Sequence, residues 1–466
     1  MFIQQLYTDC LSEAAYYVES EGEAAIIDPL RDTAAYTRLA EERGATIRYI
    51  FETHFHADFV SGHLDLAKKT GAPIIYGPGT ATRFPVHVAR EKEVFVLGAV
   101  TLEVWHTPGH TLESSCYLLR DASHAPYCLF TGDTLFVGEV GRPDLSSGNK
   151  SKEALASLLF DSLQKLKTLP DTLILYPAHG PGSACGKHLG QDTTSTLGRE
   201  KKENYALQYS SREEFIDAVV TGLEDPPEYF KTSARINQQG YTDLEQILVQ
   251  SHRALSVAVF NKEAKKGALI LDTRPPEDFA RGFVPGSINI GLKGRFAEWV
   301  GTLVPYDQTV ILVTAPGEEE QTIIRMARVG FDRVAGYLQG GYAAWTKAGQ
   351  MQDLIVTVDP EELAIDLPYD KKMQVIDVRR PAEYAAGHLQ DAVNIPLNTL
   401  ADPAVLASLD DSRNIYVYCQ SGYRGVIACA LWKRAGKHNL RHVEGGFAQM
   451  GEVAALPVIL EKVTLS

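Results

Sequence analysis

The chain has 466 residues, a formal net charge of −14, 45% hydrophobic residues and six cysteines. That length calls for roughly two to four domains rather than one core. The acidic balance excludes the basic face that nucleic-acid binding requires, and no apolar run is long enough to span a bilayer.

The opening, MFIQQLYTDCLSEAAYY, has neither a basic start nor an apolar run, so no signal peptide is expected. The cysteines (Cys10, Cys116, Cys128, Cys185, Cys419 and Cys429) form no C-x-x-C pair, which predicts free thiols in a reducing cytoplasm. Strand-like runs come in order: AAIIDP, IRYIFETH, APIIYGPG, VTLEVWHTPGH, YCLFTGD and TLILYPAHG, the first closing in a turn at Asp28–Pro29. In several of them a His or Asp comes directly after the apolar run. Ligands at strand ends are what a layered α/β fold offers, because a rigid sheet holds the loops there. KSKEALASLLFDSLQKLKTLP predicts an amphipathic helix closed by Pro170. The polar stretch from Arg199 to Gln250 predicts helices forming a tail or a bridge to the second half of the chain.

The second half repeats itself. LDTRPPEDFARGFVPGSINI matches IDVRRPAEYAAGHLQDAVNI, and an offset of 105 residues separates both Asp272 from Asp377 and Gly340 from Gly445. Two landmarks at one offset mean two copies of one domain. Each copy alternates strands with helical segments, which predicts a small α/β domain with a parallel sheet.

ETHFHADFVSGH carries the H-x-H-x-D-H spacing of a two-metal hydrolase site, with one ligand missing. His54, His56 and Asp58 are in place, and Phe59 stands where the last His belongs. His110 in TPGHT, Asp133 in TGDT and His179 in YPAHG join them. A lone His is more often structural; His54, His56, His110, Asp133 and His179 together at strand ends point to a metal site. In this order they resemble the metallo-β-lactamase fold, an αββα sandwich. The resemblance implies that a second ion would use Asp58, residue 59, Asp133 and His179. Phe59 has no lone pair, so one metal is expected. Two His and a carboxylate leave open positions and suit non-haem Fe(II) with O₂. The same imidazoles bind zinc, and spacing does not separate the two metals.

THFHADFVSG, TPGHT, TGDTLFVGEVGRPDL and YPAHG together look like the persulfide dioxygenases. That resemblance implies one mononuclear Fe(II) held by His54, His110 and Asp133. His56 is then either a weak ligand or a residue behind the ligands, and Asp58 and His179 orient ligands or waters. Arg142 and Asp144 in GRPDL read either as an internal ion pair or as a substrate contact. Cys185 reads as a buried inert thiol. The glycines around it suggest instead an exposed loop near the metal, with a redox or persulfide-carrying role.

In the last repeat, NIYVYCQSGYRG sets Cys419 after an apolar strand, followed by Gln420, Ser421, Gly422, Tyr423 and Arg424. Such a loop can turn successive N–H groups inward as an anion cradle. With Arg424 and a following helix N-terminus, it is expected to favour the thiolate, a nucleophile able to hold a transferred sulfur. This domain resembles rhodanese, and IDVRRPAEYAAGHLQDAVNIP and HVEGGF are further features of that family. Asp377 and Arg379 are expected to be structural or gating. In the first repeat Thr314 replaces the Cys and Glu319 the Arg, so that copy is expected to be catalytically inactive, a spacer or docking element.

The expected domains are therefore 1–253 (metallo-β-lactamase-like), 254–352 (inactive rhodanese-like) and 353–466 (active rhodanese). The expected function is a persulfide dioxygenase coupled to a sulfurtransferase. It would take a low-molecular-weight persulfide such as glutathione persulfide, O₂, and sulfite or thiosulfate, and serve sulfide detoxification. The alternative is a zinc thioesterase of the glyoxalase II kind with an appended rhodanese. A cytoplasmic homo-oligomer, dimer or tetramer, is expected, with no nucleic-acid or membrane partner.

Overall fold

The computed structural model describes residues 1–145, 150–187, 189–223, 225–410 and 412–460. The chain divides into two units: Met1–Ile247 with Met326–Asp332, and Leu248–Arg325 with Arg333–Ser466. Among the described residues no helix is long and apolar enough to cross a membrane.

In the first unit, β1 (Phe2–Thr8), β2 (Glu13–Ser20), β3 (Glu23–Ile27), β4 (Thr46–Phe51), β5 (Ile74–Tyr76) and β6 (His87–Val88) lie side by side in that order. A second sheet contains β7 (Val94–Leu97), β8 (Val100–His106), β9 (Ser115–Arg120), β10 (Pro126–Gly132), β11 (Ile174–Pro177) and β12 (Ser195–Thr196), again in chain order. Side chains alternate across a strand, and that alternation builds the layers. Ala14, Tyr16 and Val18 of β2 join Tyr117 and Leu119 of β9 in a core between the sheets. Ala15 and Tyr17 face outward instead, onto Tyr36, Ala40 and Leu66 of helices Ala34–Arg43 and His63–Thr70. Cys116 and Leu118 of β9 pack on Leu159 and Leu163 of helix Lys152–Leu166 and on Phe215 of helix Arg212–Val220. The result is an αββα sandwich in which central strands such as β2 and β9 each feed two cores. Burial of each large apolar side chain there contributes ~1.5–3 kcal/mol.

Helix Lys152–Leu166 is capped by the Ser151 hydroxyl, which accepts from Ala154 N. It ends before Pro170, where the Thr168 hydroxyl donates to Lys165 O. The stretch after Arg199 is helical but is neither tail nor bridge up to Ile247. Phe215 and Val219 are buried in the core. Asn237 donates to His56 O and Phe59 O and accepts from Ser61 N, clamping the metal-loop backbone.

The second unit holds two all-parallel five-stranded sheets. The first is β13 (Ala254–Leu255), β14 (Leu269–Asp272), β15 (Ile288–Asn289), β16 (Val310–Val313) and β17 (Val334–Leu338), in spatial order β13-β17-β16-β14-β15. The second comprises β18 (Val356–Val358), β19 (Met373–Asp377), β21 (Val393–Asn394), β22 (Asn414–Tyr418) and β23 (Leu440–Val443), in the matching order β18-β23-β22-β19-β21. A small ribbon pairs β20 (Gly387–Leu389) with β24 (Val458–Leu460). The repeat extends to side chains. Arg274 binds Asp272 and Gly282 O, and Arg379 binds Asp377 and Gly387 O, both arginines being buried. These pairs tie a strand end to the turn after the next helix, which is a structural task.

Candidate metal centre and cysteine loop

Strand direction puts the chemistry of the first unit at one edge. β3 is parallel to β4, and β10 is parallel to β11. β8 runs the same way as β10, because both are antiparallel to β9. Asp28, His54, His110, Asp133 and His179 all come after the C-terminal ends of these strands.

His54, His110 and Asp133 are buried and bring one ligand atom each within 4.8 Å of one another. Asp133 Oδ2 lies 3.7 Å from His54 Nε2 and 3.5 Å from His110 Nε2. Donors bound to one ion at about 2.0–2.2 Å stand roughly 3–3.5 Å apart. His110 Nε2 and Asp133 Oδ2 are buried without a hydrogen-bond partner, the state of ligand atoms whose partner is a metal. The donor set therefore fits a single cation.

Each ligand is oriented from behind. His110 Nδ1 is 2.9 Å from Arg142 O. A carbonyl only accepts, so Nδ1 carries the proton and Nε2 the lone pair. The Thr53 hydroxyl donates to Asp28 Oδ2 and therefore accepts from His54 Nδ1, both at 2.9 Å, which again frees Nε2. Burial holds the pKa of His54 well below its ordinary value and lowers that of His110, so both stay neutral as ligands must. Burial acts to raise the Asp133 carboxyl, but His179 and His54 outweigh it and hold it well below the carboxylate range.

His179 stands between two carboxylates, with Nδ1 2.7 Å from Asp133 Oδ1 and Nε2 2.8 Å from Asp58 Oδ2. Burial opposes its charge, yet Asp133 and Asp58 prevail and raise its pKa well above normal. With a carboxylate oxygen at each nitrogen, the metal-free ring is held toward its charged form. His56 Nε2 lies 3.1 Å from Asp28 Oδ1 and 3.6 Å from Glu52 Oε2, and its Nδ1 is buried without a hydrogen-bond partner. Phe59 is fully buried, its ring 4.3 Å from that of His56 and 6.4 Å from that of His179.

Arg142 is 7% exposed and grips Asp144 through two bonds of 2.7 and 2.8 Å. It also donates to Ala184 O, and its N–H donates to Cys185 O. The ion-pair reading thus describes its geometry. Of the two readings of Cys185, the geometry is that of the buried thiol and not of the exposed loop: it is 1% exposed, and burial, with Asp58 and Asp133 nearby, pushes its pKa well up. It nevertheless approaches Asp58 and His179 closely enough to form a second buried donor group. Gly141 has no room for a side chain, since a Cβ there would lie 2.0 Å from Asp133 O and 2.8 Å from His110 Nδ1. Gly141→Ala is expected to weaken metal binding ~10–100-fold, as removal of supporting contacts does; metal titration of the apo-protein checks it.

In the second unit Cys419 comes directly after β22 and is 1% exposed, and Gly422 N–H donates to its Sγ at 3.2 Å. The rest of the predicted cradle behaves otherwise. Gln420 Oε1 accepts from Arg379, Ser421 is exposed, and the Tyr423 hydroxyl donates to Gly291 O of the first repeat. Arg424 forms a bidentate pair with Glu383, 2.7 Å in both contacts. Burial works to raise the Glu383 carboxyl, but Arg424 more than reverses it. The loop is closed by Gly446, at φ 58°, whose Cβ would meet Cys419 O at 2.3 Å. Thr314, the counterpart of Cys419, is equally buried.

His442 lies under the loop, and burial brings its pKa down to about 4. The unfolded chain binds the proton at about 6.5, so stability is full above that pH and falls as pH drops toward 4, by about 3 kcal/mol. Urea unfolding from pH 7.5 to 4 is expected to show this loss, and His442→Asn to remove most of it.

The sequence reading missed Asp28, Glu52, Thr53, Asn237 and Glu383. For Asp28 and Glu52 a signal existed: each is an acid at the end of an apolar run.

Residues 8–179 match the metallo-beta-lactamase superfamily, and residues 256–348 and 360–452 match rhodanese-like domains. A crystal structure of a metallo-beta-lactamase from Staphylococcus aureus is 36% identical with a TM-score of 0.66, over 73% of this chain and 99% of that one. ETHE1 from Myxococcus xanthus is 30% identical with a TM-score of 0.44, over 51% of this chain and 98% of that one. The hydroxyacylglutathione hydrolase of Tolumonas auensis is 33% identical over 168 residues, 35% of this chain and 60% of that protein's length.

Proposed function

The chain belongs to the metallo-β-lactamase superfamily and carries two rhodanese-like domains, and from that premise we propose a persulfide dioxygenase coupled to a sulfurtransferase. The observation that carries the reading is the donor set: His54, His110 and Asp133 converge, while His179 is held between two carboxylates and Phe59 offers no ligand atom. Two imidazoles and one carboxylate are the set used by non-haem Fe(II). When bound, Fe(II) supplies open positions for a persulfide sulfur and O₂ and the redox capacity to join them. The net reaction is RSSH + O₂ + H₂O → RSH + H₂SO₃.

The chain's own residues do the rest. Arg142 O and Thr53 Oγ1 keep the protons of His110 and His54 on Nδ1. Asp133 carries the negative charge of the centre and shares it with His179. Phe59 closes the place of a second ion with an apolar ring. At the other centre the Cys419 thiolate attacks the outer sulfur of a second RSSH. The S–S bond breaks, RS⁻ leaves, and Cys419 holds the sulfur as Cys–S–SH. Sulfite then attacks that sulfur, giving thiosulfate and restoring the thiolate, and the same steps run backward from thiosulfate. The Gly422 N–H supports the anionic sulfur. The buried Thr314 copy does not share this chemistry. The free cysteines support a cytoplasmic setting, and a homo-oligomer remains part of the proposal.

A second reading, a zinc thioesterase like the hydroxyacylglutathione hydrolases, is favoured by the likeness to those enzymes and by the Asp58–His179–Cys185 donor group. One experiment separates the two. Anaerobically purified protein is assayed for metal content, for O₂ uptake with glutathione persulfide, and for hydrolysis of an S-acyl glutathione. Iron with persulfide-dependent O₂ uptake and sulfite release is expected. Zinc with thioester hydrolysis and no O₂ uptake would overturn the reading.

A further inference from the structure

The two rhodanese-like copies have diverged in opposite directions. At the offset of 105, the loop of the first copy has Thr314 in place of Cys419 and Glu318 in place of Tyr423. The second copy in turn has Pro396, Thr399 and Pro403 in place of Gly291, Gly294 and Glu298. The structure brings the unmatched residues together. The Tyr423 hydroxyl donates to Gly291 O at 2.9 Å. A Cβ at Gly291 would lie 3.3 Å from Tyr423 Cε2, and one at Gly294 would lie 3.8 Å from the same ring. Two glycines of the first copy thus leave the space that the ring takes. Gly294 sits at φ 96°, in the left-handed region that favours glycine, so the socket is built into a turn.

This contact lies one residue from the chemistry. Gly422 N–H donates to Cys419 Sγ at 3.2 Å, and Tyr423 is the next residue, the first of helix Tyr423–Arg434. A glycine does not fix the direction of its own N–H; the residues that flank it do. Arg424 is tied to the first copy by a longer route. It pairs with Glu383, Glu383 accepts from Arg380 N at 3.0 Å, and Arg380 Nη2 lies 3.1 Å from Glu298 Oε1 on helix Phe296–Leu303. Burial, with Glu298 close by, raises the pKa of the Tyr423 phenol, which therefore stays protonated and donates. The loop of the first copy has neither residue, since Glu318 and Glu319 stand at these positions.

We infer that Tyr423 is a positioning residue, seated between Gly291 and Gly294 of the first copy, that aims the Gly422 N–H at the Cys419 thiol. The copy that lacks a nucleophile is then part of the sulfur-transfer site rather than a spacer. A hydrogen bond to the thiolate favours the ionised form, so losing its aim raises the thiol pKa and slows attack. The inference rests on the reactive Cys419 thiolate proposed above, but not on which donor or acceptor of sulfur it serves.

The test follows two readouts in the full chain. One is the pH profile of Cys419 alkylation by iodoacetamide, read by mass spectrometry of its peptide. The other is sulfur transfer from thiosulfate to cyanide. Tyr423→Ala empties the socket, and Gly291→Val fills it from the inactive copy. Both are expected to move the alkylation midpoint up by about one pH unit and to slow transfer about tenfold, the effect of losing one hydrogen bond to an anion. Tyr423→Phe keeps the ring seated and loses only the bond to Gly291 O. It is expected to shift both readouts the same way by less, and it carries the test if the larger changes fail to fold. Lys433→Ala is the control. It removes a 2.7 Å ion pair with Asp353 at the far end of the same helix, and both readouts are expected to stay at wild-type values. Wild-type profiles in the folded Tyr423 and Gly291 variants would overturn the inference. Equal shifts in Lys433→Ala would overturn it too, because the effect would then be one of general packing. A wild type that shows the expected alkylation profile but transfers no sulfur would sink the sulfurtransferase reading and leave this one standing.

Discussion

Asp133→Asn is expected to empty the metal centre, abolish persulfide-dependent O₂ uptake and lower the stability of the first unit. The carboxylate works on two sides: Oδ1 is 2.7 Å from His179 Nδ1, and Oδ2 faces His54 and His110 at 3.7 and 3.5 Å. Asparagine keeps the shape but loses the charge. The ion then meets two neutral imidazoles and a neutral amide. His179 keeps its contact with Asp58 but loses the other carboxylate that holds its charge. Removing one partner of a buried ion pair costs about 3–5 kcal/mol. Iron and zinc content, O₂ uptake and the urea midpoint are therefore expected to fall together. The comparison with His110→Ala is informative. That variant also loses a ligand and is expected to lose O₂ uptake, but it leaves the Asp133–His179–Asp58 chain intact. Its stability should fall less than that of Asp133→Asn. Equal losses in the two variants would mean that the carboxylate chain contributes nothing beyond the metal.

The parts of this centre that the sequence made visible are those at strand ends. An apolar run that stops at a His or Asp announces both the strand and the ligand, which is why His54, His110, Asp133 and His179 could be named together. The repeat was visible for a similar reason. Asp272 and Asp377 do the same structural task with Arg274 and Arg379, and one task in two copies keeps one spacing. Direction, by contrast, is not written in the spacing. His56 and His54 look alike on paper, and only the fold places Asp28 and Glu52 beside the Nε2 of His56. Asn237 clamps the metal loop from almost two hundred residues away, and no local pattern marks a contact that distant. Arg424 was read as acting on the thiol; the structure sets it against Glu383, a residue the loop motif does not contain. The glycines around Cys185 suggested exposure, but close packing against Glu139, Phe136 and Val137 also requires small residues there.

Cys419→Ser is expected to stop sulfur transfer, on the order of 10⁴-fold or more as loss of a nucleophile does, while leaving O₂ uptake at the metal centre unchanged. The loop survives the change, since Gly422 N–H and the Gly446 approach to Cys419 O involve no sulfur chemistry. What is lost is ionisation and the S–S bond. A serine hydroxyl stays protonated at neutral pH and is a far weaker nucleophile toward sulfur than a thiol. Oxygen also forms no stable counterpart of Cys–S–SH. The chain contains the same comparison in its first repeat, where the buried Thr314 occupies the matching strand end. The product ratio reads the result. Wild type given glutathione persulfide is expected to form thiosulfate as the sulfite it releases meets sulfur on Cys419; the variant is expected to stop at sulfite with the same O₂ consumption. Thiosulfate formed by Cys419→Ser at the wild-type rate would show that sulfite takes its sulfur directly from free persulfide. The cysteine loop would then have no part in the reaction that the metal centre begins.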